Sequence, residues 1–241
     1  MKYETVRHCG KLGLEFSNVK GYGSRVSRDF MRNLLKNIVK RSTDYYDETG
    51  EHIFTYREKQ MHSVVCPSIA DITLSYVMEH PLIRKPAGEE EYPGNVDYWI
   101  SYRNYSFLME LKHTYFGYRN ADNPRKEIIE KFEDAIEQLE SIRKDMCREL
   151  IVNNNGLIKI ALETVIFYEG SKNPIGKDKI MMRNFKILFK KLMNNTGLKY
   201  KSNLRALWIL NDRLIKDFDY GNWYEIYPAV AFIGKISEII E

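Results

Sequence analysis

The sequence has no apolar run of about 18 residues or more, so it lacks a segment that could cross a membrane as a helix. Its N-terminal residues also lack the apolar stretch of a secretory signal peptide. The three cysteines, Cys9, Cys66 and Cys147, are far apart and odd in number. Such a set is typical of free thiols in a reducing compartment and argues against a disulfide framework or a zinc site. We therefore expect a cytoplasmic protein with no membrane partner.

Repeats, low-complexity tracts and linkers rich in Pro, Gly or Ser are missing as well. A single domain over residues 1–241 is the simplest organisation, with an N-terminal helical extension (1–55), a core with the candidate site (56–168), and a C-terminal helix and strands that complete the sheet (169–241). The 241 residues, 44% of them hydrophobic, can bury a substantial core. The net charge of +4 is compatible with a polyanionic partner, but any basic surface has to arise from local clustering.

The spacing of the apolar residues predicts an α/β fold in which helices flank a central mixed sheet. Helices are expected over residues 24–41, 56–80, about 124–146 and 178–193. Further strands are expected over residues 157–168, 206–210 and 223–233, and loops over 45–53, 86–94 and 113–123. Pro67 lies inside the second helix, so either two helices meet there or one helix is kinked.

Residues 96–112 read as two strands joined by a two-residue turn at 103–104, because aromatic and branched residues fill both arms and the bend is polar. This turn places Asp97 opposite Glu110, with their Cβ atoms about 5 Å apart on one face. Lys112 lies two positions beyond Glu110 and shares that face. The opposite face is apolar and is expected to be buried. It consists of Val96, Tyr98, Ile100, Tyr102, Tyr105, Phe107, Met109 and Leu111.

Two carboxylates that face each other repel, so this arrangement is costly unless a cation lies between them. A divalent metal ion bound by Asp97 and Glu110, with Lys112 alongside, is a constellation that can cleave phosphodiester bonds. The alternative is a solvated sheet face with a salt bridge from Lys112 to Glu110 or to Asp97.

The helix predicted at 24–41 has a basic stripe beside its apolar face, with Asp29 as the one acidic residue in the segment. The stripe consists of Arg25, Arg28, Arg32, Lys36 and Lys40. Such a stripe is either a solvated helix face or a surface that contacts phosphates. Arg119 follows a run of aromatic residues and is a further candidate contact to nucleic acid, through a segment that either stacks on bases or packs into the core.

With Asp97 and the run Glu110-Leu111-Lys112 on a hairpin, a helix upstream, and a long helix and a strand downstream, the chain resembles the PD-(D/E)XK nuclease superfamily. The resemblance covers roughly residues 56–168 and implies a restriction-endonuclease-like α-β-β-α-β core with an extra N-terminal helix. Val96 stands where that family has its name-giving proline.

The resemblance also implies roles for single residues. Asp97, Glu110, the main-chain carbonyl of Leu111 and, through a water molecule, Glu58 would bind Mg²⁺ or Mn²⁺, and Lys112 would orient or activate the attacking water. Glu58 matches the glutamate that the family often has on the preceding helix, with Asp71 and Glu79 as competitors for that place. Gln138 matches a glutamine that some branches have on the following helix; the alternative is a solvated position on that helix.

The predicted function is therefore metal-dependent hydrolysis of nucleic acid, with DNA favoured over RNA and a homodimer as a possible assembly. Two alternatives remain open from the sequence. One is a non-catalytic nucleic-acid-binding or regulatory protein that keeps the nuclease fold. The other is a metal-dependent hydrolase of small nucleotides, for which a basic helix would have no use.

Overall fold

A computed structural model of the protein describes residues 1–117, 126–142, 144–151, 156–195 and 201–239. The strands are β1 (Lys2–Val6), β2 (Gly10–Phe16), β3 (Tyr76–Arg84), β4 (Tyr92–Tyr102), β5 (Tyr105–Gly117), β6 (Leu157–Ser171), β7 (Leu204–Leu210), β8 (Phe218–Asp219) and β9 (Tyr224–Ile239). The α-helices are α1 (Ser24–Thr49), α2 (Glu58–Ala70), α3 (Lys126–Glu140), α4 (Lys144–Glu149), α5 (Lys177–Met181) and α6 (Phe185–Asn195).

Within these ranges, nine strands form one mixed sheet in the order β1-β2-β7-β9-β6-β5-β4-β3, with β8 paired to β9. β5 and β6 run parallel, and the connection between them contains α3 and α4, since parallel neighbours need a crossover segment. The predicted α/β class, with a central mixed sheet flanked by helices, is confirmed. Across the same ranges, no helix has the length and apolar character needed to span a bilayer.

Helices cover both faces of the central strand β5, whose residues from Ser106 to Thr114 are all buried. On one face, Phe30 of α1 packs against Phe107, with 4.8 Å between the ring centroids. On the other face, α3 packs against β5 and β6 and contacts Lys112. Because neighbouring residues of a strand point to opposite faces, the predicted core face and the predicted charged face of this hairpin are separated as expected.

The hairpin turn has the predicted two-residue form. Arg103 and Asn104 both have positive φ, at 46° and 64°, which is the backbone of the type I′ turn that suits the twist of a hairpin. The paired register runs from Tyr102↔Tyr105 to Tyr98↔Met109, and Asp97 and Glu110 are the next residue on each strand.

The expected helix over residues 56–80 is wrong beyond Ala70, because α2 ends there and β3 begins at Tyr76. The apolar residues that suggested one long helix belong to two elements. β3 lies at the edge of the sheet, where Pro81 is tolerated because an edge strand does not need every backbone N–H for pairing. Its alternation is also weak, since most of its residues are partly or fully exposed.

Other boundaries also differ from the sequence predictions. Residues 1–55 are not only helical, since β1 and β2 form a hairpin ahead of α1. α1 continues to Thr49 and is closed by Gly50 with a φ of 74°, so residues 45–49 are not a loop. β5 continues to Gly117 through part of the segment expected to be a loop. The helix expected to reach Met146 is divided into α3 and α4, and the helix expected at 178–193 is divided into α5 and α6.

One acidic side chain, Glu163 of β6, lies in the core under α3, where it is paired in register with Lys112. The hydroxyl of Thr114 donates a hydrogen bond to its Oε1 at 2.7 Å, whereas its buried Oε2 has no hydrogen-bond partner among the residues that the structure describes. Burial raises the pKa of Glu163 to about 8. The folded protein therefore holds a proton on Glu163 at pH values where the unfolded chain has lost it.

We expect Glu163→Gln to stabilise the protein increasingly as the pH rises from about 4.5 to about 8. In this window the unfolded wild-type chain loses a proton that the folded chain keeps, which lowers the wild-type free energy of unfolding by at most about 1.4 kcal/mol per pH unit. Urea unfolding of both proteins across this range measures the difference. Glu89→Gln, at an exposed position, is the matched control, and a constant difference for Glu163→Gln would contradict the assignment.

Candidate active site

The candidate site lies where β4 and β5 stop pairing. Beyond Tyr98↔Met109, the backbone N–H of Leu111 donates a hydrogen bond of 2.7 Å to Oδ2 of Asp97. The Asp97 side chain therefore bridges the two strands and is itself held in place, while remaining partly exposed. A fixed, partly exposed carboxylate of this kind is suited to binding a cation.

Glu110, the next carboxylate, is buried with a side-chain exposure of 2% and forms an ion pair with Arg84 of β3, at 2.6 Å between Nη2 and Oε1. Burial is the largest cause that raises the pKa of Glu110 to about 8, and the negative charge of Asp97 adds to it. Arg84 and Lys112 act in the opposite direction. The predicted repulsion between Asp97 and Glu110 is thus present, and Arg84, with a smaller contribution from Lys112, offsets part of it.

Arg84 was not among the predicted site residues, although it connects several elements. Its guanidinium donates hydrogen bonds to the main-chain oxygens of Asn95 on β4 and Gln138 on α3, in addition to the Glu110 carboxylate. Gly94 allows its side chain to lie across β4, because a Cβ atom there would be 2.8 Å from the Arg84 Nε. The sequence contains no local signal for this contact, since Arg84 and Glu110 are 26 residues apart.

Lys112 is buried on the same face and is held by α3. Its Nζ donates to Oε1 of Gln138 at 3.2 Å and lies 3.6 Å from Oδ2 of Asp134. The amide of Gln138 donates in turn to Asp134 at 2.9 Å. Gln138, which the resemblance had singled out, is therefore brought to Lys112. The two α3 side chains fix the position of the ammonium group.

Glu58 is the first residue of α2 and is half-buried near Asp97 and Lys112. Burial raises its pKa, Asp97 raises it further, and Lys112 lowers it, so all three charges lie within electrostatic reach. The backbone N–H of His113 also donates to the carboxylate. Asp71, one competitor for this role, lies at the other end of α2 and pairs with Arg41 at 2.8 Å.

A second group shares Asp97. Ligand atoms of His62, Glu79 and Asp97 all lie within 4.8 Å of one another, a spacing that could hold a metal ion. His62 is one turn after Glu58 on α2, and the hydroxyl of Tyr98 hydrogen-bonds with its Nδ1. Glu79 has a φ of 49° and interrupts the pairing of β3 with β4. Met78 before it pairs with Tyr98, and His80 after it pairs with Val96.

The sequence had suggested no histidine-containing metal site, so this group was missed. The group joins residues of α2, β3 and β4, so no local spacing in the sequence could have indicated it. Glu79 was also expected on a helix and lies on β3 instead.

The predicted basic residues of α1 lie away from this site. Arg25, Arg28 and Arg32 are exposed on α1, and Lys36 pairs with Glu4 at 3.0 Å. Arg119 lies outside the described residues. The side chain of His113, the residue after Lys112, points to the opposite face of β5, and its Nε2 hydrogen-bonds with the carbonyl of Phe54 at 2.8 Å.

The structure thus gathers Glu58, Asp97, Glu110, Lys112 and Gln138 from four elements. Such a set can bind a hard cation through its carboxylates and present an ammonium group beside it. In comparisons with known proteins, no family model, curated protein or solved structure matches the chain.

Proposed function

We propose that the protein is a metal-dependent nuclease that hydrolyses phosphodiester bonds in nucleic acid, with DNA as the favoured substrate. The observation that carries this proposal is the convergence of Asp97, Glu110 and Lys112 at the point where β4 and β5 separate. Glu58 from α2 and Gln138 from α3 reach the same point. A salt bridge on a solvated sheet face would not require Glu110 and Lys112 to be buried, as both are.

The order of elements supports the resemblance to the PD-(D/E)XK superfamily. The sequence α2, β4, β5, α3, β6 follows the α-β-β-α-β order that the resemblance implies, and β3 is inserted between α2 and β4. The parallel pairing of β5 and β6 then places α3 over the face that carries Lys112. The proposed core is therefore restriction-endonuclease-like.

The site residues fit a hard divalent cation. Asp97 and Glu110 are close enough for one charge to raise the pKa of the other group, so a cation bound by both relieves a repulsion within the folded chain. Carboxylate and carbonyl oxygens are the ligands that Mg²⁺ and Mn²⁺ prefer. Asp97, Glu110 and the carbonyl of Leu111 would hold the ion, with Glu58 contributing through water. Arg84 donates a hydrogen bond to Oε1 of Glu110, and the backbone N–H of Leu111 donates one to Oδ2 of Asp97. Each carboxylate also has a second oxygen that can bind the ion.

The protein side chains supply the rest of the mechanism. When bound, the cation would polarise the scissile phosphate and lower the pKa of a coordinated water. Lys112 would orient the attacking water and offset the charge that develops on the phosphoryl oxygens, because its ammonium group is already fixed by Gln138 and Asp134. Glu58, also beside Lys112, would help to keep that water in place.

A second candidate function is a non-catalytic nucleic-acid-binding protein with the same fold. The buried ion pair between Arg84 and Glu110 favours it, since a guanidinium already offsets part of the negative charge. Binding of DNA without metal, together with no cleavage of any DNA or RNA tested, would support this candidate over the nuclease.

We expect Glu110→Ala and Lys112→Ala each to reduce metal-dependent cleavage by at least about 100-fold, because the first removes a proposed metal ligand and the second removes the ammonium group that would offset charge on the phosphoryl oxygens. Cleavage of single-stranded and duplex DNA in Mg²⁺ or Mn²⁺ is the measurement, and melting curves establish that the variants fold. Lys59→Ala, at an exposed position one residue after Glu58, is the matched control. Unchanged cleavage by both site variants would refute the assignment.

We expect calorimetric titration of Mn²⁺ to show binding that Glu110→Ala loses and His62→Ala keeps. The reason is that Glu110 contributes a carboxylate to the proposed site, whereas His62 belongs only to the second group around Asp97. The opposite pattern, with binding lost in His62→Ala alone, would place the ion between His62, Glu79 and Asp97.

We expect the affinity for Mn²⁺ to rise about tenfold per pH unit between about pH 6 and 8 and then to level off. The pKa of Glu110 is raised to about 8, so below that pH the ion must displace one proton from the carboxyl group. Titrations in two buffers of different ionisation enthalpy count the proton released. Glu130→Gln, at an exposed position of α3, should keep the same profile, whereas an affinity independent of pH would contradict the role of Glu110.

A further inference from the structure

A cleft at the far end of the hairpin from the carboxylates is lined by arginines. Arg25, Arg28 and Arg32 come from one side of α1, Arg103 comes from the β4–β5 turn, and Asp29 lies among them around a cavity of about 510 Å³. The α1 residues are spaced by three and four positions and therefore share a helix face. All four arginine side chains are exposed. The arginine cleft thus differs from the basic stripe predicted from the sequence. It includes Arg103, which is outside the stripe, and it is not lined by Lys36, which is part of the stripe.

Several of these guanidinium groups are held in position before any ligand binds. Arg28 donates to the carbonyls of Ser24 at 3.0 Å and Val19 at 3.3 Å. Arg103 lies over the ring of Tyr102, 5.0 Å from its centroid. Arg32 lies 5.9 Å from the centroid of Phe16. Groups fixed in this way lose less conformational entropy when they bind a ligand.

The charge of the cleft is not balanced by its own residues. Four arginines and one aspartate leave a net charge of +3, and Asp29 is already engaged by Arg103 at 2.9 Å and by the Tyr102 hydroxyl at 2.7 Å. The first turn of α1 contains no acidic residue, so the positive end of the helix dipole adds to the field. An anionic ligand would relieve this repulsion, and guanidinium groups match phosphate oxygens by paired hydrogen bonds.

The length of the cleft along α1 suits a ligand that carries several phosphates in a row. Arg25 and Arg32 are seven residues apart, which is about 10 Å along a helix. Phosphates of one strand of a duplex follow each other at about 3.4 Å along the axis, so the α1 face alone spans about three of them. A mononucleotide would occupy only part of it.

We propose that the arginine cleft anchors the phosphate backbone of a nucleic-acid strand at a distance from the cleavage site. This inference rests on the proposed function for the identity of the ligand. Arg103 follows Asp97 by six positions along the extended β4 strand, which corresponds to about 20 Å. A substrate has to reach from the carboxylates to the cleft to gain this contact, so the cleft increases affinity for oligonucleotides and has no effect on mononucleotides.

The test is the salt dependence of binding to a short fluorescein-labelled single-stranded DNA, measured by fluorescence anisotropy in EDTA with increasing NaCl. For Arg25→Ala/Arg32→Ala we expect weaker binding and a slope of log K against log salt that is smaller by about 1.4, since each phosphate contact to a single strand contributes about 0.7. Lys186→Ala/Lys190→Ala removes two exposed cations one turn apart on α6 and should leave the slope unchanged. Melting curves establish that both double variants fold.

Two results would overturn the inference. If both double variants reduce the slope equally, binding follows the total charge of the protein and not the cleft. If neither changes it, the cleft does not contact the strand.

Failure of the proposed nuclease function can be distinguished from failure of the cleft proposal by comparing cleavage with the salt slope. If wild type never cleaves but only the arginine variant loses slope, the cleft is an anchoring site on a non-catalytic protein. If wild type cleaves with metal while the arginine variant binds normally, the nuclease proposal survives and the cleft proposal fails.

Discussion

The burial of Glu110 beside Asp97 is the constraint on which the arrangement of this site depends. A carboxylate removed from water and placed near another one is costly, and Arg84 is the buried cation that partly compensates. Replacing a buried ion pair by apolar residues is often neutral or stabilising, whereas removal of one partner costs about 3–5 kcal/mol. The pair is therefore a poor way to gain stability alone. Its presence is more readily explained by a need for a carboxylate at this position.

Arg84 also determines how the surrounding elements meet. Its guanidinium contacts main-chain oxygens of β4 and α3 as well as the Glu110 carboxylate of β5. One side chain therefore connects the edge strand β3 to β4, β5 and α3. The same contacts hold the end of α3 near β5, and Gln138 of α3 in turn positions Lys112. The charge that compensates Glu110 and the geometry that fixes Lys112 thus have a common origin. The proposed cation at Asp97 and Glu110 would add to this network without replacing the arginine contacts with the backbone.

The hairpin could be predicted from the sequence because its signals are local. A polar two-residue bend between aromatic arms defines the register, and the register defines which face Asp97 occupies. β3 could not be predicted in the same way, since an edge strand with most residues exposed has little alternation. The places of Arg84 and His62 in the site could not be predicted, because their contacts join residues far apart in the chain. Helical or strand spacing shows which residues share a face, but not which element lies opposite.

The net charge of +4 conceals a strong asymmetry between the two faces of the sheet. α1 contains six basic residues, all in its first 18 positions, and four acidic residues, three of them in its last six positions, whereas α3 contains six acidic residues and two lysines. α1 packs on the Phe107 face and α3 on the Lys112 face. The phosphates of the proposed nucleic-acid ligand would be attracted to the basic start of α1 and repelled by the acidic surface of α3. The arginine cleft lies at the start of α1 and Glu58 reaches Asp97 and Lys112 from the start of α2, so a strand held in the proposed cleft would be directed towards Glu58 and away from α3.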